Sequence, residues 1–438
     1  MKIFVYDHLN PEDNAMLQAL YSRSAESVEE HIKKVEVVGS GKFMQSYYVG
    51  YNHKSIADCG STTLFFEGIS TLAAKAIQDW PLYSGQETST RYIDMAKQPI
   101  IDPIGTSGSR AILDRWMTFY TSHQDQVAEH VRIMHPRGKD EDEKVYASAV
   151  KARTFDIMRG FLPAGITTQA SWHTNLRQAG DHLATMDHHL LGEVRDLATH
   201  ARIVLCSKYP SSGFDKTSAG VSAVKNDAAQ DAWAVQCAMF AYHDDPITDG
   251  NFVSDLDPML LDPYSILLDT RPRGSVIPHF IASAGTCHFD YYLDFGSFRD
   301  IQRHRNGVCR MPLLTTHYGF ERWYIDQIDD ALKYVAEGLI EQQTTAIAKL
   351  NGSDVKKQYY TALGFRVPCR LDYALPATVY VMELRSSRTV HPTLRRAVLG
   401  KMVKPFRFHY PQVRLHIDES LSDWDIRRGR QTITEVLR

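Results

Sequence analysis

The sequence predicts a mixed α/β (α+β) protein of two tandem domains, each a sheet flanked by long helices, from its length, two β-rich runs and a weak internal repeat. At 438 residues the chain exceeds one ordinary core, and length alone favours two or three domains, with two the first expectation. The runs Thr62-Thr63-Leu64-Phe65-Phe66 and Phe289-Asp290-Tyr291-Tyr292-Leu293 are rich in β-branched and aromatic residues, and both read as strands that lead into helices. Each half then carries a motif block, a long helical stretch, a Leu-Pro landmark and an arginine-bearing segment. In the first half these are residues 84–92, 109–135, Leu162-Pro163 and Asn175-Leu176-Arg177. In the second they are residues 303–305, 319–349, Leu375-Pro376 and Glu383-Leu384-Arg385. The expected divisions are 1–215 for the first repeat, 216–270 for a helical connector containing a helix from Ser222 to His243, and 271–438 for the second repeat.

The two helical stretches are read from periodicity. Ile112, Leu113, Trp116, Phe119 and Tyr120 recur at spacings of three and four, the period of one helix face, and Trp323, Ile325, Ile328, Leu332, Val335 and Leu339 repeat the pattern. Both are expected to be packing helices. The densely charged residues 137–143 read as a solvated loop.

Composition narrows the function classes. A hydrophobic fraction of 43% and a charged fraction of 23% are those of a globular chain, and a formal charge of −3 argues against bulk binding to nucleic acid. The N-terminal residues lack the apolar region of a signal peptide and no apolar run is long enough to span a bilayer, so the expected location is cytoplasmic, with no membrane partner. Six cysteines are scattered without a C-x-x-C pair, so no metal is called, and they are expected to be buried, reduced thiols.

Chemistry enters at Glu87-Thr88-Ser89-Thr90-Arg91-Tyr92. On an extended backbone Glu87, Ser89 and Arg91 would point to one side, and a hydroxyl beside a guanidinium fork suits a phosphate monoester. An isolated S-x-R triplet is more often a surface salt bridge. Its surroundings change that weighting. Asn52-His53-Lys54-Ser55-Ile56-Ala57-Asp58-Cys59 running on to Ser70, then Glu87 to Tyr92, then Arg159-Gly160-Phe161-Leu162-Pro163, then Asn175-Leu176-Arg177, resemble in order the motifs of the flavin-dependent thymidylate synthases. The resemblance implies that Glu87, Ser89, Arg91 and Arg159 bind dUMP, and that Ser61, Asn175 and Arg177 contact FAD.

The first half departs from that family at three places. Asp79-Trp80-Pro81 stands where the family has R-H-R, Cys59 where it commonly has His, and Met186 near the arginine that polarises the pyrimidine. The second half supplies what is missing. Arg303-His304-Arg305, at the expected end of a helix, resembles the family's R-H-R turn and implies FAD contacts from Arg303, His304 and Arg305, with Arg303 also catalytic. Arg385 resembles the arginine that faces the nucleotide base, after a shift of several residues in alignment. Beyond Arg305 there is no E-x-S-x-R-Y, and Asp372 falls where the first half has Arg159.

Together these fragments imply a hybrid site: phosphate grip from one repeat, flavin turn and activating arginine from the other. The implied reaction is reductive methylation of dUMP to dTMP, with FAD as cofactor and NADPH and methylenetetrahydrofolate as co-substrates. The implied assembly is a homodimer of pseudo-dimeric chains, a pseudo-tetramer. Two alternatives stay open: a flavoenzyme acting on another pyrimidine nucleotide, and a non-catalytic nucleotide-binding or assembly protein derived from the family.

Overall fold

The computed structural model describes residues 2–214 and 228–431. The chain divides into two compact units, each discontinuous in sequence: Met1–Glu67, Ala76–Glu87 and Gln169–Phe240 form the first, and Gly68–Lys75, Thr88–Thr168 and Ala241–Arg438 the second.

In the first unit, helices Pro11–Tyr21 and Val28–Val38 close a small core through Met16, Leu17, Ile32 and Val35. The first of them starts where Asn10 accepts a hydrogen bond from the Asp13 amide at 3.1 Å and Pro11 presets the helical turn. Strands β1 (Ser61–Ser70) and β2 (Thr167–Asn175) pair in a two-stranded sheet. Helices Leu176–Met186 and Gly192–Lys208 follow. Of the helix expected from Ser222 to His243, the part Ala228–Ala241 is helical, and residues 222–227 lie outside the described residues.

The second unit is organised by a four-stranded sheet of β3 (Asn251–Ser254), β4 (Thr286–Asp294), β5 (Val308–Arg310) and β6 (Arg366–Ala374), in the order β3-β4-β6-β5 with each neighbouring pair antiparallel. Alternate residues of β4 and β6, namely Cys287, Phe289, Tyr291 and Leu293 with Val367, Cys369, Leu371 and Tyr373, are buried, as the two-residue period of a strand requires. The two strands read from the sequence are real and lead into helices Thr71–Gln78 and Phe295–Ile301.

The helical stretches differ from expectation. Residues 109–135 form two helices, Ser107–Ser122 and Gln124–Met134, because His123 leaves helical geometry at φ −115° and ψ 7°. The second stretch is a short helix Arg322–Asp326 and then Asp330–Ala348, restarted where the Asp329 carboxylate accepts from the Leu332 amide at 3.1 Å. Val335 is half exposed rather than packed. The two long helices meet through polar atoms: Gln343 Nε2 donates to the Ile112 carbonyl at 2.7 Å, and Arg115 Nε donates to Gln343 Oε1 at 2.9 Å. Of the six thiols only Cys287 and Cys369 are buried; Cys237 is exposed and the others are half-buried.

The backbone corrects the register of the repeat. The Ala164 amide donates to the Thr361 carbonyl and the Leu363 amide to Leu162; Gly165 donates to Tyr359 and Gly364 to Gly160. Each bond is answered by one with the halves exchanged. The same holds for Thr167 to Pro99 and Arg366 to Gly319, and for Thr71 to Ile166 and Phe295 to Phe365. β2 and β6 are each 9 residues long, and the helices that follow, Leu176–Met186 and Leu375–Arg385, are each 11. Arg159 therefore corresponds to Gln358, not Asp372, and Leu375-Pro376 corresponds to Leu176-Arg177, not to Leu162-Pro163. Met186 and Arg385 become counterparts without any shift, as do Asp79 and Arg303. Close approach at this crossing requires Gly364, where a Cβ would lie 2.4 Å from the Phe320 ring.

Candidate functional site

The sequence-derived residues fall into both units. Ser61, Glu87, Asn175 and Arg177 belong to the first; Ser89, Arg91, Arg159, Arg303, His304, Arg305 and Arg385 belong to the second.

In the first unit Glu87, Asn175 and Arg177 are engaged locally. Glu87 is buried and its Oε2 accepts from Gln78 Nε2 at 2.7 Å. Asn175 caps the helix Leu176–Met186, accepting from the Gln178 amide at 2.8 Å. Arg177 donates to Asp58 at 2.7 Å and to Asp181 at 3.1 Å. Ser61 is exposed at the start of β1. At the Asp79-Trp80-Pro81 departure, Trp80 stacks on His182 with ring centroids 4.7 Å apart and donates its indole N–H to Gln178 Oε1 at 2.8 Å. Burial pushes His182 down to about 4, so it packs as a neutral ring.

In the second unit, Thr88, Ser89, Thr90, Arg91, Arg159, Gly296, Arg299, Asp300 and Arg303 line one small pocket that opens to solvent. Four arginines face one aspartate there, with three hydroxyl side chains on the same wall, which makes the pocket an anion site by composition. Residues 88–91 are not the extended run expected from sequence. The Tyr92 amide bonds back to the Ser89 carbonyl at 3.4 Å and the Arg91 amide to Ser89 Oγ at 3.2 Å, a turn that gathers backbone and hydroxyl groups at one point.

Each arginine is held differently. Arg91 grips the fully buried Asp156 in a two-pronged pair, Nε to Oδ1 at 2.7 Å and Nη2 to Oδ2 at 3.2 Å, while its Nη1 donates to the Thr389 carbonyl at 3.2 Å. Arg159, 2% exposed, donates to Ser297 Oγ at 2.9 Å and lies 3.7 Å from Asp294 and 3.5 Å from Asp300. Burial opposes its charge, but Tyr324, Asp300 and Asp294 outweigh burial and raise its pKa, so it is a permanent cation. Arg299 is buried, and burial with the neighbouring Arg303 pushes it down to about 10. Asp300 keeps its charge because Arg303, Arg159 and Arg385 overcome the cost of burial and hold its pKa below the usual carboxylate range.

Helix Phe295–Ile301 ends at the turn 302–305. Arg303 lies 4.0 Å from Asp300, and Arg305 is half-buried. His304 and Arg385 form one assembly: Arg385 Nε donates to His304 Nε2 at 2.6 Å, and Arg385 Nη2 donates to the Asp300 carbonyl at 2.7 Å. Burial first, then Arg385, Arg305 and Arg303, push His304 down to about 3. Its ring is therefore neutral near pH 7, with Nε2 as acceptor and the proton on Nδ1.

Several members of this site were not read from the sequence. Arg299 and Asp300, on the helix Phe295–Ile301, precede Arg303 in the turn after it by four and three residues, a spacing that was visible. Asp156 precedes Arg159 by three on the helix Glu143–Met158, and its signal was equally local. Arg428, which also grips Asp156, has no nearby motif to announce it.

Residues 5–211 match the family model described as thymidylate synthase complementing protein. A UPF0159 protein of Chlamydia pneumoniae is 23% identical over 433 residues, covering 86% of this chain and 80% of its own. A UPF0159 protein of Thermoplasma acidophilum is 23% identical over 457 residues, covering 87% and 90%. These matches run through both halves, as expected for proteins of doubled length. Residues 5–211 are thus similar to the thymidylate synthase complementing proteins, and the chain as a whole is similar to the double-length UPF0159 proteins.

Proposed function

We propose that the second-unit pocket is the nucleotide and flavin site of a thymidylate synthase-like flavoenzyme that methylates dUMP, and that it draws on both repeats. The observation that carries this reading is the shared lining: Ser89, Arg91 and Arg159 come from the first half of the sequence, Arg303 from the second, around one anion-suited space. Ser89, Arg91 and Arg159 would bind the dUMP phosphate. Arg385, oriented by His304 and the Asp300 carbonyl, would stabilise negative charge on the pyrimidine.

The turn Arg303-His304-Arg305 fits a flavin dinucleotide, because two guanidiniums flank a neutral imidazole that accepts rather than donates at Nε2. Asn175 and Arg177 fit it less well, being committed to a helix cap and to Asp58 and Asp181. Bound FAD would supply the redox chemistry that turns a one-carbon unit from methylenetetrahydrofolate into a methyl group, with NADPH as reductant. This chain's residues bind, orient and neutralise charge; no cysteine nucleophile is required.

A second reading, a flavoenzyme acting on another pyrimidine nucleotide, is favoured by Cys59 at the family's His position and by the capture of Arg177. A product other than dTMP from a nucleotide panel, read by mass spectrometry, would select it. A non-catalytic nucleotide-binding protein would retain dUMP without flavin.

The purified protein is expected to show a visible flavin spectrum with one FAD per chain, because Trp80 and His182 stack where the other repeat carries the His304 turn. Two per chain, or none, overturns the hybrid site. A homodimer is the assembly proposed with it, to be read by light scattering. Arg91→Ala is expected to weaken dUMP binding about tenfold to a hundredfold, the range of a lost charge-assisted contact, with a smaller change in turnover. Calorimetric titration and steady-state kinetics check the two halves of that expectation.

A further inference from the structure

The C-terminal residues 425–431 fold back onto the helix Glu143–Met158 as a short strap. Asp425 starts it by accepting from the Arg427 amide at 3.0 Å, and the helical turn Ile426–Arg430 follows. Contact with the helix is close enough that a Cβ on Gly429 would lie 1.9 Å from the Val145 carbonyl oxygen. Gly429 thus lets the strap seat, and seating delivers Arg428 to a position 4% exposed. Its Nη1 bonds Asp156 Oδ2 and its Nη2 reaches Oδ1 at 3.4 Å, while its guanidinium sits 5.5 Å from the Tyr92 ring centroid. The Tyr92 hydroxyl in turn donates to Gln431 Oε1 at 2.6 Å. The strap therefore touches both the residue after Arg91 and the carboxylate that holds Arg91.

Asp156 has one negative charge and two guanidiniums on it. With Arg91 alone, the pair would be neutral and Arg91 would offer a passing phosphate little net charge. With Arg428 also in place, the buried trio carries a surplus positive charge, and Arg91 is its member at the pocket. We propose that Arg428 is a positioning residue for the anion pocket: it takes up the charge of Asp156 and leaves that of Arg91 to attract the phosphate of the nucleotide. This rests on the reading of the pocket as a nucleotide site.

The test is calorimetric titration of dUMP into the full-length protein, comparing wild type with Arg428→Met, Asp156→Asn, the double variant and Gly429→Ala. Arg428→Met is expected to weaken dUMP binding about tenfold, about 1.4 kcal/mol, although Arg428 does not line the pocket. In the Asp156→Asn background the same change should have little further effect, which loss of packing alone would not produce. Gly429→Ala, which displaces the strap without removing a charge, should weaken binding in the same direction and serves as the reading if Arg428→Met does not fold. Unaltered affinity in a folded Arg428→Met protein, or an undiminished penalty in the Asp156→Asn background, overturns the proposal. A wild-type protein that binds no dUMP overturns the site reading itself, a result distinct from either.

Discussion

Arg159→Met is expected to lower the unfolding free energy by about 3–5 kcal/mol, the cost of removing one partner from a buried ion pair and leaving the other charge behind. Asp294 is fully buried, with its Oδ2 taking the Ser297 amide at 2.9 Å and the Tyr324 hydroxyl at 2.8 Å. Those bonds orient the carboxylate but do not neutralise it; Arg159, 3.7 Å away, does. Asp300 also loses a cation and keeps Arg303 and Arg385. Urea unfolding followed by fluorescence should therefore show a lower midpoint. A partial recovery in Arg159→Met/Asp294→Asn would identify uncompensated charge as the cause, and a loss below about 1 kcal/mol would mean that the pair is worth no more than an exposed one.

Arg385→Ala is expected to reduce kcat about 10²–10³-fold, the scale of a lost electrostatic stabiliser at a reacting group, while dUMP affinity changes far less. The separation follows from position: the residues proposed to bind the phosphate line the pocket, whereas Arg385 is not among the lining residues and is fixed by His304 and the Asp300 carbonyl. The opposite split, tight turnover with lost binding, would move Arg385 into the phosphate grip. The variant has a second signature that needs no turnover. Arg385 is the largest neighbouring charge that keeps His304 from taking a proton, so its removal should raise the His304 pKa from about 3 towards the ordinary value, as read by NMR titration. The sign for stability follows from linkage. A histidine depressed in the folded state costs stability as pH falls below about 6.5, since the unfolded chain takes up the proton first, so the variant should lose less stability between about pH 6 and 3 than wild type.

Much of this arrangement was legible because its signals were local. Strands β1 and β4 announced themselves by composition, and the helix ending in Arg303-His304-Arg305 by its motif. Strand β6, with Arg370, Asp372 and Pro368 among its apolar positions, carried a mixed text and was not marked as a strand. The break at His123 and the restart at Asp329 were hidden inside continuous helical periodicity, which reports a face but not where hydrogen bonding lapses. The pairing of Arg385 with Met186 was right in kind and wrong in register, because Leu-Pro recurs at Leu162 and Leu375 in places that the backbone does not equate. Asp156 and Asp300 carried a local spacing that went unread, whereas Arg428 was missed because the partner of a buried charge is settled by tertiary packing.

The exchanged hydrogen bonds between residues 160–165 and 359–364 have an evolutionary corollary. In a symmetric homodimer every substitution is made twice, so an arginine cannot be discarded at one copy of a site and retained at the other. Joining two copies in one polypeptide removes that constraint. On the proposed reading of the chain as two joined copies, Met186 and Arg385, Gln358 and Arg159, and Asp79 and Arg303 would each be a position free to drift in one copy while its counterpart is kept. Such a chain can trade a redundant second centre for a scaffold, and the indole of Trp80 lying on His182 is what a surrendered centre would become.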